Sequence, residues 1–350
     1  MVTVVLTTYN GEAFVADTIN SVLNQTFSDF ELLILDDAST DGTVAIVESY
    51  DDPRIVLVKN ASNLGISRTR NQGTALARGR YIAAHDHDDI SYPDRLERQV
   101  SLLDSRPGTV LVCGRAQQIP SAKEAMPSLP VPGPTRLAWT LFTTSPIVHS
   151  TVCIRKSALL DYNINYDPTY HYAEDFELYH KLSEIGDLYM LPEVLGAYRV
   201  HEANTSRTNS YAMTANGQQF LRRRYNHYLG PDTVSEADIE VIWRLFVEKH
   251  PARSGSELIK AGSILDQLVS RYVEQNEIVA DERTEVFTEA SATWEKTIML
   301  AAFHHGPAIL RYRHRFERLR RRPTGSFGHH FAGANATCRF LFNKLRRIQV

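Results

Sequence analysis

Apolar residues in the first 115 positions come in short runs separated by segments with helical spacing. "VTVVLTTY" (2–9), "FELLILDD" (30–37), "RIVLVKN" (54–60), "RYIAAHD" (80–86) and "TVLVCG" (109–114) are rich in β-branched residues and nearly continuous in apolar character, as parallel strands covered on both faces tend to be. Helices are predicted between them at about 12–24, 41–50, 67–78 and 93–104, with Ser39 and Thr40 ahead of the second and Pro93 opening the fourth. A repeated strand–helix order implies a mostly parallel, right-handedly wound sheet with helices on both faces. Ligands in such sheets lie beyond the carboxyl ends of the strands. The polar clusters fall there: "TTYNGE", "DDAST", "NASNLG" and "HDHDD" follow the first four strands in turn.

Further along, "RAQQIPSAKEAMPSLPVPGPT" (115–135) carries five prolines and reads as an excursion from the sheet. Order returns as a strand and short helix in "PIVHSTVCIRKSALL", a helix in "YHYAEDFELYHKLSEIG", and two short strands leading to a polar loop in "LYMLPEVLGAYRVHEANTS". From about 208 onward the spacing is mainly helical. The boundaries expected are 1–215 for an α/β domain, divided near 115 and 116 into two halves, and 216–350 for a helical region with a basic end.

Composition changes this picture in three places. Hydrophobic and charged contents of 43% and 23% are those of an ordinary globular chain. Cys113, Cys153 and Cys338 are odd in number, distant and without CxxC spacing, which argues against a disulfide framework or thiolate zinc site and for a reducing compartment. No signal-like start is expected in "MVTVVLTTYN", and no membrane span, since "TIMLAAFHHGPAIL" is too short and is broken by His304, His305 and Pro307. Charge is uneven: residues 311–350 hold eleven Lys and Arg against Glu317 alone, a net of +10, leaving −13 on the rest of a chain whose total is −3.

Each polar cluster has more than one reading. Asp86 and Asp88, one residue apart at a strand end, point to the same side, where two carboxylates can share a hard divalent cation; they can equally form a turn. His85 and His87 alternate onto the other face and, with the carboxylates, suit a zinc or iron site, although no HExxH-type spacing supports it. Asp36, Asp37 and Ser39 can cap the second helix or accept from a nucleotide. GxGxxG and GxxxxGK[ST] are absent from the chain, which disfavours dinucleotides and P-loop hydrolysis. Glu174 and Asp175 open a helix, where acids favour the dipole, and either can serve as a general base.

Taken in order, "VTVVLTTYNGEAFVADTINSVLNQTFSDFELLILDDASTDGT", "NLGISRTRNQG", "ARGRYIAAHDHDD", "HSTVCIRKSALL", "EDFELYHKL" and "YRVHEANTS" resemble glycosyltransferase family 2 over about residues 2–210. The resemblance implies a GT-A fold, Rossmann-like and followed here by a helical region, and an inverting, metal-dependent transfer from a nucleotide-sugar. UDP-sugar is the expected donor, Mn²⁺ or Mg²⁺ the cofactor, and a glycan or lipid-linked hydroxyl of cell-surface polysaccharide synthesis the acceptor. It further implies that Thr8, Tyr9, Glu12, Asp37 and Arg70 line the nucleotide pocket with Asp86. Asp86 and Asp88 form the metal-binding pair, His201 completes the metal or diphosphate site, and Asp175, beside Glu174, is the catalytic base. The family places apolar side chains where His85 and His87 stand, so these two are expected on the solvent side or behind the ligands. The basic residues 311–350, interleaved with Phe, Leu and Ile, suit a solvated helix face or an anionic membrane surface. The glycan-enzyme context favours the membrane over nucleic acid and places the protein in the cytoplasm, peripheral on the inner face. The competing classes are a non-catalytic binding protein on the same scaffold and a metal-dependent phosphoester hydrolase.

Overall fold

The computed structural model describes residues 1–120, 131–204 and 208–305. Most of the proline-rich excursion (121–130), the basic stretch 311–350 and Cys338 therefore lie outside the described residues. The expected strands and helices alternate as β1 (Val2–Thr8), α1 (Val15–Leu23), β2 (Phe30–Asp36), α2 (Thr43–Glu48), β3 (Ile55–Lys59), α3 (Ile66–Leu76) and β4 (Tyr81–Asp86). A two-residue β5 (Ile90–Ser91), α4 (Arg95–Ser105) and β6 (Thr109–Ile119) follow. Every residue of β1 and β2 is buried, which is why their sequences run apolar instead of alternating.

After α5 (Pro134–Thr140) come β7 (Cys153–Arg155), α6 (Lys156–Asp161), α7 (Glu174–Ser183) and β8 (Asp187–Arg199). The eight strands form one sheet in the order β3-β2-β1-β4-β7-β6-β8-β5. Strands β1 to β4 pair in parallel, as does β6 with β8, whereas β7 runs antiparallel to β4 and β6, and β5 to β8. The sheet is thus more mixed than the strand–helix repeat implied. The two strands expected in "LYMLPEVLGAYRV" are one strand, β8, whose register with β6 shifts between Cys113 and Arg115. Pro192 falls inside that shift, where a residue without an N–H can interrupt the ladder without ending the strand.

Three packing features position the cleft. Helix α3 lies close on β1, since a Cβ at Gly73 would come 2.5 Å from Val5 Cγ1, and one turn earlier Arg70 faces the strand ends. The loop before α7 turns through Tyr172, whose φ of 67° is rare for a bulky residue and aims Glu174 and Asp175 inward. Helix α8 (Ser210–Leu229) packs on α7, α9 (Glu236–Ile242) on α8 and on α10 (Gly255–Gln275), and α10 and α11 (Ala280–His305) on α5. There Asn216 Nδ2 donates to the His171 carbonyl at 2.7 Å, Tyr225 donates to the Phe142 carbonyl at 2.8 Å, and Arg136 pairs with Glu289 at 2.6 Å. Among the described residues no helix is long and apolar enough to cross a membrane.

Candidate active site

The predicted residues converge at the carboxyl ends of β1, β2 and β4. Arg70 is the link: its Nη2 lies 2.8 Å from Asp86 Oδ1 and its Nη1 2.8 Å from Glu174 Oε1. The guanidinium is buried over the ring of Tyr166, 5.5 Å from the centroid. Residues separated by 104 positions are thereby brought into one cluster. The Arg70 charge, opposing burial, holds the Asp86 carboxyl below its usual range. Asp175, one residue past Glu174, is pushed from 3.8 up to about 6, chiefly by burial and then by the Glu174 charge, with Arg70 pulling the other way. Its Oδ1 accepts from the Phe176 amide at 2.7 Å. Glu174 Oε2 is buried without a hydrogen-bond partner.

Asp88 and His201, 113 residues apart, also meet: His201 Nε2 is 3.0 Å from Asp88 Oδ2, and Asn204 Nδ2 is 3.3 Å from the same oxygen. Arg199 braces the turn by donating Nε to the Asp88 carbonyl at 2.8 Å and its amide to Asp89 Oδ1 at 2.9 Å. Phe14 packs beside both, 4.6 Å from the His201 ring and beneath Arg199. The donor set at 86, 88 and 201, two carboxylates and an imidazole, fits Mn²⁺ or Mg²⁺ bound by a few protein groups with phosphate oxygens completing the shell. Among the described residues no group of three or more His, Cys, Asp and Glu side chains is arranged as a metal cage.

The nucleotide-side residues are arranged differently from the capping alternative. Asp37 does not cap α2: its Oδ1 accepts from the Leu64 amide and Asn60 Nδ2, and its Oδ2 from the Gly65 amide, each at 2.9 Å. Asp36 accepts from the Ser39 amide at 2.9 Å, and the N-terminus of α2 is served by Asp41, whose Oδ1 accepts from the Thr43 amide at 3.0 Å. Glu12 Oε2 accepts from the Gly42 amide at 2.6 Å, joining the loops after β1 and β2. Thr8 is buried with its hydroxyl unpaired, and Tyr9 is 46% exposed above it.

His85 and His87 part company. His85 is not on the solvent side: it is 1% exposed, and burial together with the Arg95 charge pushes its imidazole down to about 3, so it is neutral. The His87 ring packs on Gly11, where a Cβ would meet it at 2.4 Å. Sequence reasoning missed Ser150 and Asp89. The Ser150 hydroxyl lies 2.5 Å from Asp89 Oδ2 and 3.4 Å from Asp86 Oδ2, and burial plus the charges of Asp86 and Asp88 push Asp89 up to about 8. A third acid after Asp86 and Asp88 was the available signal.

Known proteins are similar to this chain in sequence and in fold. Residues 3–162 match the model of Glycosyl transferase family 2. An uncharacterized glycosyltransferase of Haemophilus influenzae is 28% identical over 254 residues, 69% of this chain and 77% of that protein. The crystal structure of S. aureus TarS 1–349 in complex with UDP-GlcNAc superposes with a TM-score of 0.59 at 19% identity, over 87% of this chain and 92% of that one. The mannosyltransferase PcManGT of Pyrobaculum calidifontis, in complex with GDP-Man and Mn²⁺, gives 0.51 at 17% identity, over 87% of each chain. The fold is accordingly that of the GT-A glycosyltransferases, and residues 3–162 are similar in sequence to glycosyl transferase family 2.

Proposed function

We propose that the protein is an inverting glycosyltransferase that moves a sugar from a nucleotide-sugar, foremost a UDP-sugar, to a hydroxyl of a glycan or lipid-linked acceptor. The observation that carries this reading is the Arg70 bridge, which sets the Asp86–Asp88 turn and the Glu174–Asp175 helix start on one cleft. A carboxyl at about 6 is ionised at neutral pH yet more basic than an ordinary aspartate, as a general base requires. Asp175 would take the proton from the acceptor hydroxyl, whose oxygen forms the new bond to the anomeric carbon as the bond to the nucleoside diphosphate breaks on the opposite face; inversion follows. When bound, a divalent cation at Asp88, His201 and Asp86 would supply positive charge to the departing diphosphate. Arg70, in contact with Asp86 Oδ1, adds fixed charge at the same place. Thr8, Tyr9 and Glu12 would shape the nucleotide pocket. Asp37 retains lone-pair capacity beyond its three protein partners for a base N–H.

The complexes of TarS with UDP-GlcNAc and of PcManGT with GDP-Man and Mn²⁺ support a nucleotide-sugar donor and a divalent cation. Residues 311–350, with their net charge of +10, would hold the enzyme at the anionic inner face of a membrane, near a lipid-linked acceptor. Calorimetry or thermal shift with UDP-, GDP- and dTDP-sugars plus Mn²⁺ tests the donor: a rise in melting temperature with a UDP-sugar that needs Mn²⁺ is expected, and no response to any of the three refutes the reading.

A further inference from the structure

Neither the nucleotide pocket nor the metal-binding carboxylates make use of His85, yet its surroundings are fully determined. Arg95 is 0% exposed. It donates Nη2 to the carbonyls of Ala84 at 2.8 Å and Val152 at 3.1 Å, Nε to Gln99 Oε1 at 3.2 Å, and Nη1 to Ser91 Oγ at 2.9 Å. With the Ser91 oxygen accepting from the guanidinium, its own proton is directed to His85 Nε2, 2.9 Å away. His85 Nδ1 lies 2.8 Å from the Asp86 carbonyl oxygen. Arginine can only donate and a carbonyl can only accept, so the chain Arg95 to Ser91 to His85 to Asp86 has one direction and the imidazole proton must sit on Nδ1.

The Asp86 carbonyl also accepts from the Asp89 amide at 3.4 Å. That bond closes the turn carrying Asp86 and Asp88. An apolar side chain at 85 would fill the same space while leaving the carbonyl and the Ser91 hydroxyl without this partner.

We propose that His85 is a positioning residue whose Nδ1–H pins the Asp86 carbonyl and so holds the 86–89 turn in the geometry that presents Asp86 and Asp88 to the donor diphosphate and its cation. The inference rests on the reading of those carboxylates given under Proposed function. Groups that orient metal ligands from behind typically contribute roughly 10- to 100-fold in metal affinity.

Three substitutions separate the links. In His85→Asn the side-chain amide replaces Nδ1 and can still donate to Asp86. In His85→Gln the side-chain oxygen can reach only the Ser91 hydroxyl. His85→Leu removes both bonds and keeps an apolar side chain in the core. Mn²⁺ is titrated calorimetrically into each UDP-saturated protein, with metal-free thermal melts as the folding control. His85→Leu should weaken Mn²⁺ binding on the order of tenfold, His85→Gln should resemble it, and His85→Asn should recover most of the loss. Long-range ¹H–¹⁵N NMR of histidine-labelled wild type should show a neutral Nδ1–H ring whose signal disappears in His85→Asn. Leu binding Mn²⁺ as tightly as the wild type, Gln matching Asn, or an Nε2–H tautomer each overturns the proposal, and the tautomer decides even if a variant does not fold. A wild type that takes up neither UDP nor Mn²⁺ overturns the donor reading and this inference together; normal binding in His85→Leu overturns this inference alone.

Discussion

Asp175→Asn should make the protein more stable at neutral pH while removing its transfer activity. Folding raises the Asp175 carboxyl from 3.8 to about 6, mainly through burial and the neighbouring Glu174 charge. Well below pH 3.8 the group is protonated in both folded and unfolded chains and contributes no penalty. As pH rises through this window the unfolded chain loses its proton first, so stability falls and the full penalty is present above about pH 6. A shift of about two pH units corresponds to on the order of 1–3 kcal/mol. Asparagine keeps the shape and can still accept from the Phe176 amide, but carries no charge to desolvate. Denaturant unfolding of both proteins from pH 4 to pH 8 should show a gain for the variant that is smallest at the acid end and grows to a plateau above about pH 6. Transfer should drop by roughly 10²- to 10⁴-fold, the usual worth of a general base. A variant no more stable at pH 7, a gain that does not vary with pH, or retained transfer would refute the assignment of Asp175.

Other perturbations probe the same cluster. Wild-type transfer should decline as pH falls through about 6, because the base must be ionised; a rate flat down to pH 5 contradicts this. Arg70→Met leaves Asp86 and Glu174 without their shared cation, and denaturant melts should show a loss of about 3–5 kcal/mol, the usual cost of breaking a buried pair. Because Arg70 pulls the Asp175 carboxyl down, the acid limb of any residual activity should move to higher pH. Asp88→Asn should weaken Mn²⁺ stimulation of turnover while leaving the metal-free melting temperature nearly unchanged, since asparagine keeps the shape and an oxygen that can accept from His201 Nε2 and Asn204 Nδ2; equal Mn²⁺ dependence in mutant and wild type removes Asp88 from the metal site.

What the chain reveals before folding depends on whether the determining partners are local. Strands β1 to β4 were legible because burial on both faces forces runs of apolar residues, and the cleft followed from where those runs end. The pairing of Asp88 with His201 was anticipated through the family resemblance, not through spacing, since 113 residues separate them. The partners of Asp37 were invisible because two of them are backbone amides, of Leu64 and Gly65, which leave no mark in side-chain pattern. The continuity of β8 was hidden by Pro192, which reads as a break but occupies a register shift. Which of its two expected places His85 takes, the solvent side or behind the ligands, was not legible, because alternation says which face a side chain takes, not whether that face is covered. Here α4 supplies Arg95 to cover it.

The central claim is that this cleft transfers a sugar with inversion, using Asp175 as base. The most direct measurement is NMR of the sugar released or transferred when the protein is incubated with UDP-GlcNAc and Mn²⁺, followed from the first turnover. Slow donor hydrolysis even without acceptor, dependent on Mn²⁺ and giving the β anomer first from the α-linked donor, is the predicted result. Release of the α anomer, or turnover that persists in Asp175→Asn, would contradict it.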